Sequence, residues 1–583
     1  MPGVSVYDER PWLARYPAGQ PAHLTPQFDS ALAMFRATVA RDPDAALIHY
    51  FDATITAGEI DELTDAFAVA LLRSGVEPGD RVALYLQNVP QFVIGLVGAW
   101  KAGAVAVSIN PMNKARELAS LLQDSGARVL VCLDELYRDV AREVAPTTAV
   151  HTVFTTSARA FQTRDDPRAF RNEPSSSEAR SASVGVGAVT ERDHDDPDPG
   201  ASPGVVLIRD LLEALDEVRG EVPPEVSLGP DDVAFLTYTS GTTGPPKGAM
   251  NTHGNVVFNT QTYRQWCDLS DRDTMLGVSP LFHITGLIAQ IGVTLLTGAP
   301  LVLFHRFEPS LTVDVIREHR PTFAMGSITI FIALMNAPGA DREAMSSITT
   351  VLSGGAPIPP STVTVFEERF GVYIHNFYGL TETTSPSHGV PIGVEAPVDP
   401  TSGALSIGVP LFDTVVRVVG EDGADLPAGE VGEIVISGPQ VVPGYWRKPE
   451  ETAHAFPQGR LHTGDVGYMD HDGWFYLIDR KKDQINASGY KVWPREVEDV
   501  LYEHEAVREA AVIGVADEYR GETVKAFVSL RPDARVTPEE LIGFCKARLA
   551  AYKYPRAVEV LEELPKSAVG KLLRRELRVD EDG

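Results

Sequence analysis

Residues 80–109 read DRVALYLQNVPQFVIGLVGAWKAGAVAVSI. The short apolar run Asp80–Leu86 predicts a buried strand, Gln91–Ala102 a helix, and Ala104–Ile109 a second strand. The same alternation extends both ways. Upstream, Ile60, Leu63, Phe67 and Leu71 recur at helical spacing, and Gly75 ends that helix. Downstream, a helix is expected over Ala115–Gln123 and a strand over Arg128–Cys132. Strands separated by helices need crossover connections, so the pattern argues for an α/β fold around a largely parallel sheet.

The pattern breaks at about 156–204, which is rich in Ser, Asp, Arg, Gly and Pro. With so few large apolar groups, this stretch is expected to be a flexible surface insertion. Its one G-x-S-x-G (Gly200, Ser202, Gly204) is flanked by Pro199 and Pro203 and lacks the strand–turn–helix context a nucleophile elbow needs, so it reads as a chance match. The α/β pattern resumes at Val205 and runs to about Asp479. After the charged cluster Asp479–Asp483, a compact α+β unit follows. It comprises helix Pro494–His504, strands Ala510–Val515 and Val524–Leu530, helix Pro538–Ala551 and strand Ala557–Leu561.

Composition excludes several classes. The chain of 583 residues is 44% hydrophobic and 22% charged, with formal net charge −29. Binding to a phosphate backbone relies on clustered cations, so no nucleic-acid partner is expected. The three cysteines, Cys132, Cys267 and Cys545, are far apart, which argues against a disulfide framework or a zinc knuckle and fits a reducing cytoplasm. The N-terminal residues carry early charges and no apolar run, so no signal peptide is expected. Glycines and Pro300 interrupt Leu281–Phe304, the most apolar stretch. It reads as a buried helix followed by a buried strand, with no transmembrane segment, while peripheral contact with a membrane stays open.

The chemistry is carried first by Tyr238-Thr-Ser-Gly-Thr-Thr-Gly-Pro-Pro-Lys-Gly248. Thr239, Ser240, Gly241, Thr242, Thr243 and Gly244 offer small hydroxylated and glycine units whose N–H and O–H groups can wrap phosphate oxygens, and Lys247 adds a positive charge. It is not a Walker A loop, because Pro246 precedes the lysine and Gly248 follows it.

This loop resembles the phosphate-loop signature of the adenylate-forming superfamily, which contains acyl-CoA synthetases, non-ribosomal adenylation domains and luciferases. Further segments resemble the family's motifs in the same order. They are Ser353-Gly-Gly-Ala-Pro357, Asn376-Phe-Tyr-Gly-Leu-Thr-Glu382, Thr463-Gly-Asp465, Asp479-Arg-Lys-Lys-Asp-Gln-Ile485 with Ser488-Gly489-Tyr490, and Pro565-Lys-Ser-Ala-Val-Gly-Lys571. The resemblance implies a large N-terminal domain (1–479) of α/β subdomains with a β-barrel-like part. A hinge at 480–482 and a small mobile α+β C-terminal domain (483–583) follow. It also implies roles. Gly355 and Ala356 bracket the adenine and the acyl group. Asn376, Tyr378, Gly379 and Thr381 lie against adenine and phosphate, and Glu382 binds Mg²⁺. Asp465 accepts hydrogen bonds from the ribose, and Arg480 contacts the nucleotide. Lys482 is the pivot, Ser488, Gly489 and Tyr490 serve the coenzyme A step, and Lys571 reaches the carboxylate and the α-phosphate. ATP, Mg²⁺ and coenzyme A are the implied cofactors and co-substrates.

Pro11-Trp-Leu-Ala-Arg-Tyr-Pro17 and Pro280-Leu-Phe-His283 resemble long-chain fatty acyl-CoA synthetases, which places His283 near the acyl pocket. A fatty acid of medium or long chain is therefore the expected substrate. An acyl-AMP ligase, or a ligase for aromatic or terpenoid acids, remains the alternative. Lys553, Lys566, Arg574 and Arg575 form a basic group that either meets coenzyme A phosphates or is ordinary surface.

Overall fold

A computed structural model of the chain describes residues 5–164, 166–170, 206–239, 246–400, 403–480, 483, 485–487, 490–517, 521–566 and 572–579. The stretch quoted at the outset folds as strand Arg81–Tyr85, helix Pro90–Lys101 and strand Val105–Ser108. Every residue of that helix is buried. It lies so close to helix Ala57–Arg73 that a methyl on Gly98 would meet the Phe67 ring at 2.6 Å. Lys101 ends the helix in the interior because Asp61 and Asp65 each take its ammonium at 2.6 Å, so the charge is buried with partners.

Two large sheets build the N-terminal domain. The first has seven strands in the order Leu207–Asp210, Thr152–Thr156, Val129–Leu133, Arg81–Tyr85, Val105–Ser108, Val233–Thr239 and Lys247–Thr252. The first six run parallel and the last is antiparallel. The second has nine strands, with a parallel centre that includes Phe323–Gly326, Thr350–Ser353 and Ile374–Leu380. One hydrophobic core joins residues from both sheets and the helices between them. The part expected to be barrel-like rests on a four-stranded antiparallel sheet, Val415–Val419, Gly432–Ser437, Leu461–Met469 and Phe475–Arg480. A bridge from Gly408 to Phe475 ties it to the larger body.

The apolar stretch from Leu281 forms a wide-turned helix over Gly286–Gly292, a regular turn at Val293–Thr297 and strand Leu301–Leu303, all of it buried. Among the described residues no helix is long and apolar enough to cross a membrane. The C-terminal domain is a five-stranded sheet with helices Pro494–Tyr502 and Pro538–Lys546 and its own core.

One composition-based expectation changes. Part of the stretch read as a flexible insertion packs firmly. Ala158, Ala169 and Phe170 are buried. Tyr50 donates to the Ala158 carbonyl at 2.6 Å, and Asp52 accepts from the Thr163 N–H at 2.9 Å. The reason is local: Phe161 and Phe170 supply apolar area that the average composition of 156–204 dilutes. The G-x-S-x-G at 200–204 lies outside the described residues.

Candidate active site

In open α/β sheets, ligands bind beyond the carboxyl ends of the strands. Most of the described candidate residues lie at such ends. Thr239 closes its strand and pairs directly with Lys247 on the antiparallel neighbour. The two residues therefore hold the base of the Ser240–Gly244 loop, which itself lies outside the described residues. On the second sheet, Ser353 and Asn376 are partners in parallel register. The turn that follows Ser353 runs so near that a methyl on Gly354 would meet the Phe377 carbonyl oxygen at 2.5 Å. Gly355 has φ +79°, and a methyl there would meet nothing within 4 Å. With Ala356 half-buried behind it, this turn leaves open space in front of its backbone.

The segment after Asn376 supplies the polar groups. The Asn376 amide is buried and donates to the Ser406 carbonyl at 2.9 Å, which ties this strand to the segment around Ser406. Tyr378 donates to Asp465 Oδ2 at 2.6 Å across to the four-stranded sheet. Asp465 is 2% exposed and is aimed by its own turn: its N–H donates to Thr463 Oγ1, which donates to the Ile434 carbonyl. Arg480 is the strand partner of Asp465. Behind Tyr378 stands His388, fully buried, edge-on to the Tyr378 ring at 5.4 Å. Burial pulls His388 down to about 3, so it is a neutral ring.

Thr381 and Glu382 sit in one short turn whose backbone is fixed from three directions. Asn251 donates to the Thr381 carbonyl at 3.2 Å. Asn259, on helix His253–Trp266, donates to the carbonyls of Thr383, Thr384 and Pro386 at 3.0, 2.7 and 3.1 Å. The Val442 N–H donates to the Glu382 carbonyl at 2.9 Å. These bonds hold Thr384 and Ser385 at φ +49° and +86°. That conformation is costly for side chains with a Cβ and persists only where the surroundings impose it. Glu382 is half-buried, and Tyr445 donates to its Oε1 at 2.7 Å.

His283 opens the turn before the buried helix. Its N–H donates to the Pro280 carbonyl at 3.1 Å, and its Nδ1 accepts from the Thr285 N–H at 3.3 Å. The buried Phe282 and Ile284 flank it in sequence. Lys482, Ser488, Gly489 and Lys571 lie outside the described residues, as do the side chains of Arg480 and Tyr490. Lys566 and Leu572, on either side of Lys571, bridge to each other. Three of the four expected basic residues pair within their own domain, and the side chain of Arg575 lies outside the described residues. Lys553 pairs with Glu496 at 2.7 Å, Lys566 with Glu509 at 2.6 Å, and Arg574 with Glu498 at 2.7 Å.

The sequence reading missed Tyr445, Asn251 and Asn259. Asn255 and Asn259, four apart on a buried helix, were the available signal, because a buried amide needs a partner. Tyr445 carried none beyond its place after Gly444.

The profile of AMP-binding enzymes matches residues 35–446, and that of the AMP-binding enzyme C-terminal domain matches residues 496–571. This chain belongs to the AMP-binding enzyme family. It is 38% identical over 585 residues to a long-chain-fatty-acid–CoA ligase of Bacillus subtilis, covering 99% of each chain. It is 34% identical over 536 residues to a feruloyl-CoA synthase of Amycolatopsis, covering 92% of this chain and 96% of the other. ATP-bound MatB from Rhodopseudomonas palustris superposes with a TM-score of 0.79 at 26% identity, over 94% of this chain and 99% of that one.

Proposed function

We propose that this AMP-binding enzyme is an ATP-dependent acid–thiol ligase that converts a medium- or long-chain fatty acid to its acyl-CoA through an acyl-adenylate, releasing AMP and pyrophosphate. The observation that carries the reading is that the two large sheets and the four-stranded one are joined at these residues: Tyr378 donates to Asp465 across to the four-stranded sheet, and Tyr445, bridged to Ala249 on the strand of Lys247, donates to Glu382. Full-length similarity to fatty-acid–CoA ligases supports the fatty substrate.

The residues fit a magnesium–nucleotide complex. Among the described residues no group of three metal-ligating side chains exists. A single carboxylate, Glu382, is what Mg²⁺ needs when substrate phosphates and water supply its other ligands. When bound, the ion would neutralise phosphate charge. Asp465 accepts the ribose hydroxyls, and Tyr378 holds that carboxylate in place. The Gly355–Ala356 turn gives a flat backbone edge to the adenine. Thr239, Thr381 and the Ser240–Gly244 loop donate to phosphate oxygens, and Lys247 offsets the charge of the departing pyrophosphate. The acid carboxylate attacks the α-phosphorus, and the P–O bond to pyrophosphate breaks. Positioning and charge neutralisation supply most of the acceleration in such a step. Lys571 bridges the attacking carboxylate and the α-phosphate. A thiolate of coenzyme A then attacks the acyl carbon, and AMP leaves with the bonding electrons. Between the steps the C-terminal domain, residues 483–583, turns about the 480–482 hinge at Lys482. The turn withdraws Lys571 and brings Ser488, Gly489 and Tyr490 to the thiol path. His283 and the buried helix after it line the acyl end. Each buried methylene adds about 0.8 kcal/mol, so a long apolar wall selects chain length cumulatively. The three cysteines are free and buried, as a reducing cytoplasm allows.

Lys571→Ala tests the division of labour. It should abolish acid-dependent ATP–pyrophosphate exchange yet spare thioester formation from supplied acyl-adenylate and coenzyme A. Equal loss of both steps would rule out this role for Lys571.

A further inference from the structure

Tyr445 belongs to none of the segments singled out by sequence, yet it touches two of the charges on which the nucleotide chemistry depends. Its hydroxyl donates to Glu382 Oε1 at 2.7 Å. The Lys247 ammonium stands 5.2 Å from the centre of its ring, within cation–π range. The backbone around it is stitched to both residues' elements. Ala249 bridges to Tyr445, the Met250 N–H donates to the Gly444 carbonyl, and the Trp446 N–H donates to the Gly248 carbonyl. The Val442 N–H reaches the Glu382 carbonyl on the other side. Phe456 packs edge-on against the ring at 5.6 Å, and Tyr445 is only 8% exposed. The phenol is therefore held in one place.

An ammonium over the ring and a carboxylate at the hydroxyl of one phenol attract each other through a partly desolvated space. Among the described residues neither Lys247 nor Glu382 makes an ion pair, and Glu382 Oε2 accepts no hydrogen bond. We propose that Tyr445 is a positioning residue that holds Lys247 and Glu382 apart and aims both. Its hydroxyl occupies one carboxylate oxygen and leaves the other for the metal ion, while its ring face holds the ammonium toward the phosphates. The proposal rests on the reading of Glu382 as the metal-side group and Lys247 as a phosphate-side group.

Tyr445→Phe removes the hydroxyl and keeps the ring and its packing. The experiment is calorimetric titration of ATP into the full-length protein at a series of Mg²⁺ concentrations, without acid and without turnover. Affinity for ATP in the absence of Mg²⁺ should change less than about twofold, whereas the gain in affinity on adding Mg²⁺ should shrink about tenfold. That is the size expected when a metal-ligating carboxylate loses its hydrogen-bond partner. Thioester formation from supplied acyl-adenylate and coenzyme A, a step that uses neither charge, should be unchanged. Tyr445→Leu also removes the ring, lets Lys247 and Glu382 pair, and should weaken Mg²⁺-free ATP binding as well. Glu382→Gln run alongside separates the two possible failures. If it keeps the full Mg²⁺ gain, the reading of Glu382 falls and the proposal with it. If it loses the gain while Tyr445→Phe keeps it, the positioning role alone is overturned.

Discussion

Gly379→Ala should silence adenylation without unfolding the chain, and the size of the effect follows from the geometry. Gly379 lies between Tyr378 and the Thr381–Glu382 turn. A methyl on its α-carbon would meet the Ser385 carbonyl oxygen at 1.8 Å and the Pro386 α-carbon at 2.8 Å. Both belong to the antiparallel partner strand, and neither can rotate away as a side-chain tip could. Ser385 is already held at φ +86°, with the Pro386 carbonyl bound by Asn259. The two strands must therefore separate. Overpacking of this kind costs about 1–3 kcal/mol of stability. The larger effect is on function, because the displaced strand carries Tyr378 on one side of residue 379 and Glu382 on the other. A misplacement of about 1 Å at reacting groups is worth on the order of 10²-fold in rate. ATP–pyrophosphate exchange in the presence of acid should therefore fall about a hundredfold, with a folded, slightly less stable protein by thermal melting. Gly393→Ala is the control. Its φ is +79° but a methyl meets nothing within 4 Å, so it bears backbone strain alone and should keep its exchange rate. An unchanged exchange rate in Gly379→Ala would refute the claim that this strand contact sets the spacing of the site.

Three further outcomes are expected. Asp465→Asn keeps the shape but loses the charged acceptor, so the KM for ATP should rise about ten- to a hundredfold while the protein stays folded, as steady-state kinetics would show. Asn259→Ala strips the donor from three buried carbonyls and should cost about 3 kcal/mol in denaturant unfolding. Its Mg²⁺-dependent gain in ATP affinity should fall along with stability, because the turn it clamps carries Glu382. The third concerns pH. Burial lowers His253 and His375 to about 4 and His388 to about 3, below the ordinary histidine value. The unfolded chain then binds more protons than the native one between roughly pH 6.5 and 3. The stability from keeping these rings neutral is complete above pH 6.5 and drains away as pH falls through that window. The melting temperature should decline accordingly, and His388→Asn should flatten the decline.

The fold was legible wherever burial follows a simple period. The strands and helices between residues 57 and 133 begin and end within two or three residues of their expected bounds, because each is a short apolar run closed by Gly, Pro or a charge. The elements after Pro494 were readable for the same reason, although helix Pro538–Lys546 stops well before the expected Ala551. The packing of residues 157–170 was hidden because two phenylalanines do not alter the composition of a long polar stretch. At the site, the motifs with recognisable wording named the candidate residues as a set. Their mutual support was not. Tyr445 reaches Glu382 across 63 positions, Asn259 reaches Pro386 across 127, and Tyr378 reaches Asp465 across 87. No local period encodes such contacts.

The most direct test of the central claim is pyrophosphate release measured over a panel of acids, from acetate through octanoate and palmitate to benzoate and a resin acid, each with and without coenzyme A. The account predicts release that rises toward palmitate, depends on Mg²⁺ and requires coenzyme A for sustained turnover. Acid-dependent release indifferent to coenzyme A, with acyl-AMP accumulating, would contradict it, and so would turnover confined to a ring-bearing acid.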